Sequence, residues 1–273
     1  MLPGFYTAAS GMLAQQRRIE MLTNNIANAN TPGYKADQAA LRAFPELLLS
    51  RLEEITTPTK ETRSFSAGSV VGPINTGVYM QELIPNFRQG DIKETGQPTD
   101  MALINGTLPA NAGTLFFVVE NENGDIRYTR NGNFTLNPQG FLTTNDGWYV
   151  LDENGQRIQL PNTDFTVNPD GTIVADNNRV ARINIAFAAN PNALAKEGNG
   201  LFRSENGVLP SALDNPNITY TLKQGFLERS NVDLNRAMTD MLSAYRAFEA
   251  NQKIVQAYDR SMDKAVNEVG RLK

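Results

Sequence analysis

The chain of 273 residues carries 25 basic and 29 acidic side chains, a formal charge of −4, and contains neither histidine nor cysteine. Those absences exclude disulfides, thiol nucleophiles, imidazole bases and the usual zinc ligand sets, and the mild negative charge gives no basis for a nucleic-acid or anionic-lipid partner. With 40% hydrophobic and 20% charged residues the chain has the composition of a folding protein, and its length suits one domain with appendages or two domains.

No run reaches the ~18 apolar residues needed to cross a bilayer. Met1-Leu2-Pro3-Gly4-Phe5-Tyr6 lacks the basic leader and unbroken apolar core of a secretory signal, so any export is expected to follow a route that reads something else. Phe5, Ala8, Met12, Gln15, Ile19, Leu22, Ile26 and Ala29 then follow alternating steps of three and four. That spacing is a heptad stripe on one helix face, in which only Gln15 is polar and Gly11 is the weak point. The helix is expected to stop near Asn30-Thr31, because Pro32 disfavours helical geometry in the residue before it. Pro32-Gly33 suits the central positions of a type II turn, where glycine supplies positive φ. Just ahead lie Asn24, Asn25, Asn28 and Asn30, and asparagine competes with the helix for backbone partners. The cluster either marks fraying before the turn or makes polar contacts between adjacent helices or subunits, as a buried coiled-coil asparagine does to fix register.

Residues 36–84 fit no single pattern. Residues 44–54 read as a short amphipathic helix through Leu47, Leu48 and Leu52, and residues 56–59 and 64–72 as an extended arm that orders against a neighbour. Between Leu83 and Gly225 short strands alternate with turns. Expected strands are 115–120, 126–130, 134–136, 148–151 and 181–186, separated by Asn-Gly and Asn-Pro-x-Gly signals. Phe134-Thr135-Leu136-Asn137-Pro138-Gln139-Gly140 recurs as Phe165-Thr166-Val167-Asn168-Pro169-Asp170-Gly171, which predicts two hairpins of similar geometry. The region reads as an all-β domain.

Residues 226–269 contain neither glycine nor proline. Ser230 with Asp233 resembles a capping box, and Leu234, Met238, Met241, Tyr245, Phe248 and Val255 continue a three–four stripe interrupted at Gln252, which Tyr258, Met262 and Val269 resume. About 38 helical residues would span roughly 57 Å. The few large apolar side chains of the N-terminal stripe are too small a return for ordering that segment against one partner helix, so both ends are expected to fold on assembly.

Candidate chemistry is sparse. Asp152-Glu153-Asn154-Gly155 and Asp170-Gly171 set carboxylates beside glycine, but neither continues into the spaced acidic ligands of a calcium loop, and hairpin turns use the same residues. Thr129-Arg130-Asn131-Gly132 is a turn in which Arg130 is expected to make a structural ion pair. No glycine-rich phosphate loop is present, and nothing singles out a carboxylate pair for glycan hydrolysis. Catalytic, cofactor-binding and metal residues are therefore not expected.

The segment Leu22-Thr23-Asn24-Asn25-Ile26-Ala27-Asn28-Ala29-Asn30-Thr31-Pro32-Gly33-Tyr34-Lys35 resembles the N-terminal signature of bacterial flagellar rod and hook proteins. Leu227-Glu228-Arg229-Ser230-Asn231-Val232-Asp233-Leu234 and Tyr245-Arg246-Ala247-Phe248-Glu249-Ala250-Asn251 resemble their C-terminal signatures, and Phe87, Gly90, Thr95-Gly96, Asp100, Tyr128-Thr129-Arg130 and Phe134 the pattern of the rod-type β domain. The chain length is similar to that of the distal rod protein and of one proximal rod protein. Two segments depart from the pattern: residues 110–113 displace the usual glycine–phenylalanine junction, and residues 44–84 match no particular rod paralogue.

The resemblance implies an axial structural subunit of the basal-body rod, exported unfolded through the flagellar type III apparatus without a cleaved signal. It implies an α+β fold: terminal helices pairing as an inner coiled-coil layer along a central channel, with an all-β domain inserted between them. The expected divisions are 1–35 for the N-terminal helix and turn, 36–84 for the arm, 85–226 for the β domain and 227–273 for the C-terminal helix. Expected subunit-interface residues are Phe5, Met12, Ile19, Leu22, Asn24, Asn25, Ile26, Asn28, Asn30, Tyr34, Leu234, Met238, Met241, Tyr245, Phe248, Asn251 and Val255. Expected partners are copies of the chain, other rod and hook subunits and the export apparatus, with no nucleic acid, small-molecule substrate or cofactor. The rival readings are a hook or rod-cap subunit, an envelope binding module with a β domain on a helical stalk, and an envelope enzyme acting on peptidoglycan.

Overall fold

The computed structural model describes residues 3–55, 65–109, 113–213 and 215–269. In chain order its elements are α1 (Pro3–Ala27), β1 (Asp37–Ala43), β2 (Leu47–Ile55), β3 (Phe65–Ile74), β4 (Val78–Pro85), β5 (Ile92–Glu94), β6 (Met101–Asn105), β7 (Thr114–Glu120), β8 (Ile126–Thr129), β9 (Phe134–Leu136) and β10 (Leu142–Thr144). They continue with β11 (Tyr149–Val150), β12 (Phe165–Val167), β13 (Thr172–Ala175), β14 (Asn178–Arg182), β15 (Ile185–Ala188), β16 (Leu194–Gly198), β17 (Leu201–Ser204), β18 (Tyr220–Gln224), β19 (Phe226–Glu228) and α2 (Leu234–Lys264). The architecture is mixed, with a helix towards each end and a β domain in the middle. The chain forms two compact units.

The first unit comprises Met1–Thr23, Ala39–Leu83 and Met238–Lys273. Within it α1 and α2 pass each other in opposite senses. The Phe5 ring meets Tyr258 edge-on at 6.4 Å, Gly11 faces Asn251, and the Thr23 hydroxyl lies 3.8 Å from the Met241 sulfur. Gly4 lies so close to the Tyr258 hydroxyl that a Cβ there would come within 2.1 Å of it. The contact is thin. Its buried apolar side chains include Ala8, Ala14 and Ala244 beside Met21, Leu22 and Met80, while Tyr6, Leu13, Leu242 and Tyr245 remain exposed. β1 pairs with β4; the Thr7 hydroxyl donates to the Thr76 carbonyl at 3.0 Å, and Phe44 stacks on Tyr79 at 5.4 Å.

Four sequence expectations are corrected. Residues 44–54 do not form a helix: β2 pairs antiparallel with β3 from Leu47↔Ile74 to Ile55↔Phe65, so residues 65–72 of the expected arm are its partner strand. Apolar patterns this short do not distinguish the two periods, and a complementary strand decided the outcome. Residues 56–59, also assigned to the arm, lie outside the described residues. The C-terminal helix opens at Leu234 rather than near Ser230, with the Asp233 carboxylate accepting from the Arg236 amide at 3.1 Å as its cap. The strand expected at 181–186 is divided between β14 and β15, which belong to different sheets.

The second unit comprises Asn24–Gln38 and Ile84–Ala237. Its largest sheet has eight strands in the order β16-β17-β8-β7-β11-β10-β9, with β15 also paired to β7. β7 is buried on both faces. Leu115, Phe117 and Val119 enter one apolar cluster with Phe134, Leu142 and Ile173, whereas Phe116 and Val118 enter another with Tyr128, Leu151 and Phe202. That period-two division explains why the strand is a continuous apolar run rather than an alternating one. The two Asn-Pro-x-Gly turns have the predicted common geometry: Gly140 and Gly171 each donate to the carbonyl of the asparagine three residues earlier at 2.9 Å, with φ of 83° and 89°. Residues 110–112, where the family resemblance is interrupted, lie outside the described residues.

Candidate functional site

α1 ends at Ala27, and the chain turns through Thr31-Pro32-Gly33-Tyr34, closed by the Tyr34 amide donating to the Thr31 carbonyl at 3.3 Å. Gly33 has φ of 67°, as the type II turn requires, and its backbone lies against that of Arg130, where a Cβ would fall 2.5 Å from the carbonyl carbon. The Gly33 amide donates to the Glu228 carbonyl at 2.8 Å. This turn is therefore fixed to the β domain by close backbone approach.

The asparagines and Tyr34 reinforce it. Asn25 is buried; its amide nitrogen donates to the Asp37 carbonyl at 2.8 Å while its oxygen accepts from the Asp37 amide at 2.9 Å, the reciprocal pattern of a strand pair. The Tyr34 hydroxyl donates to Asn24 Oδ1 at 2.8 Å, and burial, followed by the Asp37 carboxylate, raises its pKa far above the ordinary phenol range, so that it holds its proton. Lys196 caps the arrangement, its ammonium 4.2 Å from the Tyr34 ring centre and 2.9 Å from both Asp37 carboxylate oxygens. Asn28 donates back to the Asn24 carbonyl at 2.9 Å.

Beneath the turn lies a buried ionic node. Glu228 Oε1 accepts from Lys35 Nζ at 2.6 Å and from the Gly90 amide at 2.9 Å, while Oε2 accepts from Arg130 Nε at 2.6 Å. Lys35, Arg130 and Glu228 are each no more than 2% exposed. Two cations thus share one carboxylate, and backbone oxygens supply the balance: Lys35 also donates to the Arg88 carbonyl, and Arg130 to Asn105 Oδ1 and the carbonyls of Leu103 and Leu115. Burial alone would raise the Glu228 pKa, but the Arg130 guanidinium and the Lys35 ammonium outweigh it and hold the carboxyl below its ordinary value. Burial lowers the Lys35 pKa, with Glu228 opposing and Arg130 adding to the shift. Asn231 completes the surround, its oxygen accepting from the Ala36 amide at 2.8 Å and its nitrogen donating to the Asn86 carbonyl at 2.7 Å.

Arg130 makes the structural ion pair expected of it. Lys35 and Glu228 lie inside recognised motifs but had no role assigned to them. The available signal was periodicity: Phe226 and Glu228 share one face of a strand, so a carboxylate was aimed inward and required cations. Of the residues expected at subunit interfaces, Asn24, Asn25, Asn28 and Tyr34 have partners within the chain, whereas Asn30 is exposed without a hydrogen-bond partner among the described residues. Leu22 is buried; Phe5, Met12, Ile19, Ile26, Met241, Phe248, Asn251 and Val255 are half-buried; Leu234, Met238 and Tyr245 are exposed, Tyr245 at 52%. The described residues contain no cluster of acidic side chains suited to a metal ion, and no helix is long and apolar enough to cross a membrane.

Three family models match the chain: flagella basal body rod protein over residues 5–35, flagellar hook protein FlgE/F/G D1 domain over residues 110–175, and flagellar basal body rod FlgEFG protein C-terminal over residues 223–268. The chain is 49% identical to the flagellar hook-basal body complex protein FlhO of Bacillus subtilis, with both chains covered in full. The chain belongs to the flagellar basal-body rod and hook family. It is thus a structural protein of the flagellar basal body and not an enzyme. It is also similar to the basal-body rod protein FlgG of Agrobacterium fabrum, at 32% identity over 92% of this chain and 94% of that one, and to FlgF of Caulobacter vibrioides, at 31% over 98% of each. Lys35, Arg130 and Glu228 come one from each of the three matched segments. Within the β-domain unit of this chain, the ionic node therefore draws together residues from all three matched segments.

Proposed function

We propose that this protein is a subunit of the flagellar rod, which polymerises head-to-tail with copies of itself and other axial subunits into a helical tube carrying torque from motor to hook. A heterologous interface whose rotation does not close gives such a tube. The terminal helices form its inner layer, around the channel through which later subunits are exported, and the β domain lies outside. The chain itself leaves the cell through the type III export apparatus. The observation that carries this reading is the exposed stripe Leu234, Met238, Leu242 and Tyr245 on α2, in a chain that matches rod proteins over nearly its whole length. An apolar row of that kind is an unsatisfied packing surface. The ionic node ties the turn after α1 and the strand before α2 to the β domain.

The test is deletion of the gene followed by electron microscopy of isolated basal bodies. A rod subunit leaves a truncated shaft without a hook; complete rods lacking only the hook would place the protein in the hook instead. Tyr245→Asp should reproduce the deletion while leaving the circular dichroism of the β domain unchanged, and normal flagellation in that strain would refute the role of the stripe.

A further inference from the structure

One groove in the β-domain unit has no role in the anchoring just described. It has a volume of about 500 Å³ and lies between the turn after α1 and the β5–β19 pair. Ala29, Pro32 and Leu227 give it apolar walls, and Asn30, Lys93 and Arg229 are exposed around it. Lys93 and Arg229 have no ion-pair partner among the described residues, and Asn30 has no hydrogen-bond partner. One side of the groove is rigid, because Gly33 and Glu228 beside it are locked in the node. A preorganised apolar slot with two free cations and a free amide suits a segment that carries carboxylates next to an apolar surface.

We infer that this groove receives α2 of a second copy of the chain, through Asp259 and Asp263. These carboxylates are four residues apart on one helix, so they share a face, and both are exposed without an ion-pair partner among the described residues. Met262, exposed and next to Asp263, supplies adjoining apolar surface. The chain is net acidic, at −4, so copies repel one another in general and a basic slot selects where they meet. The occupant rests on the rod reading above: only a polymerising subunit presents its own α2 to its neighbour.

The test uses the full chain and a charge swap. Lys93→Glu with Arg229→Glu should weaken self-association in sedimentation velocity by at least about tenfold and reduce its salt sensitivity, with the thermal melt unchanged because both side chains are exposed and unpaired. Adding Asp259→Lys with Asp263→Lys should restore it. Should the reversal shift the melt, the neutral pair Lys93→Gln with Arg229→Gln takes its place. Because the chain has no cysteine, Thr95→Cys bearing a photo-crosslinker reports the occupant in assembled basal bodies. Capture of a peptide containing Asp259 and Asp263 supports the inference. Capture of another subunit, or failure of the swap to rescue, overturns it and leaves the rod reading standing; absence of the wild-type protein from basal bodies would instead overturn the rod reading.

Discussion

The two units of this protein are packed on different principles. In the β-domain unit Leu115, Phe116, Phe117, Leu142 and Ile173 are completely buried, and a strand of large side chains divides two cores. In the helical unit the buried positions include alanines, and Leu242, Tyr245, Ile254 and Met262 of α2 are exposed while Met241, Phe248 and Val255 are only half-buried. Burial of a large apolar side chain contributes about 1.5–3 kcal/mol, whereas alanine contributes little. The β unit is therefore closed by its own side chains, whereas the helical unit leaves large apolar side chains of α2 exposed, which on the proposed rod reading a neighbouring subunit covers. On that reading, stability and assembly are encoded in separate sets of residues.

That separation gives an ordered set of tests. Glu228→Gln should have the largest effect, because it leaves Lys35 and Arg130 buried without their counter-charge; removal of one partner from a buried ion pair costs about 3–5 kcal/mol, measurable by urea denaturation of the full chain. Phe117→Ala should be comparable, at about 3–5 kcal/mol for a fully buried aromatic. Gly33→Ala comes next: the left-handed backbone alone costs about 1–2 kcal/mol, and the contact with Arg130 adds to it, so amide exchange should quicken at the substituted position and at Tyr34 before the β sheet is affected. Tyr245→Ala should be smallest in stability, within about 0.5 kcal/mol, yet should impair flagellation. A loss of several kcal/mol at Tyr245, or none at Glu228, would break the division between the units.

The acid limb of stability sharpens the same comparison. The folded pKa of Glu228 lies below its ordinary value of 4.5, so the unfolded chain takes up this proton first as pH falls. The node's stabilising contribution is fully present above about pH 4.5 and is lost as pH falls through the folded pKa. Asp170 is lowered in the same sense, by bonds from Thr172 and the Arg182 charge against its burial. Thermal melts of wild type and Glu228→Gln should therefore converge as pH falls below this range, and parallel curves would show that the carboxylate does not carry the effect.

Much of this organisation was legible in the sequence. The stripe from Phe5, the Pro32-Gly33 turn and the paired Asn-Pro-x-Gly hairpins depend on local spacing and backbone restriction, and they are where the pattern places them. The β2–β3 hairpin was not legible, because whether 44–54 becomes helix or strand depends on residues 65–74, which local periodicity does not include. The node escaped for the same reason: Lys35 and Glu228 are 193 positions apart, and each alone looks like a surface charge. Asn25 illustrates the intermediate case. Its cost to the helix was visible, but the reciprocal bond with Asp37 needed the turn to be folded first.

That separation also bears on when the structure can close. Lys35 is made early and its carboxylate partner late, so until residue 228 is made the N-terminal turn lacks the Glu228 carboxylate, and a buried ammonium without a counter-ion is strongly disfavoured. The progress of synthesis acts as a clock: the node cannot close until the strand carrying Glu228 has been added. A chain interrupted before that point would keep its leading segment loose, whatever its β sheets had already achieved.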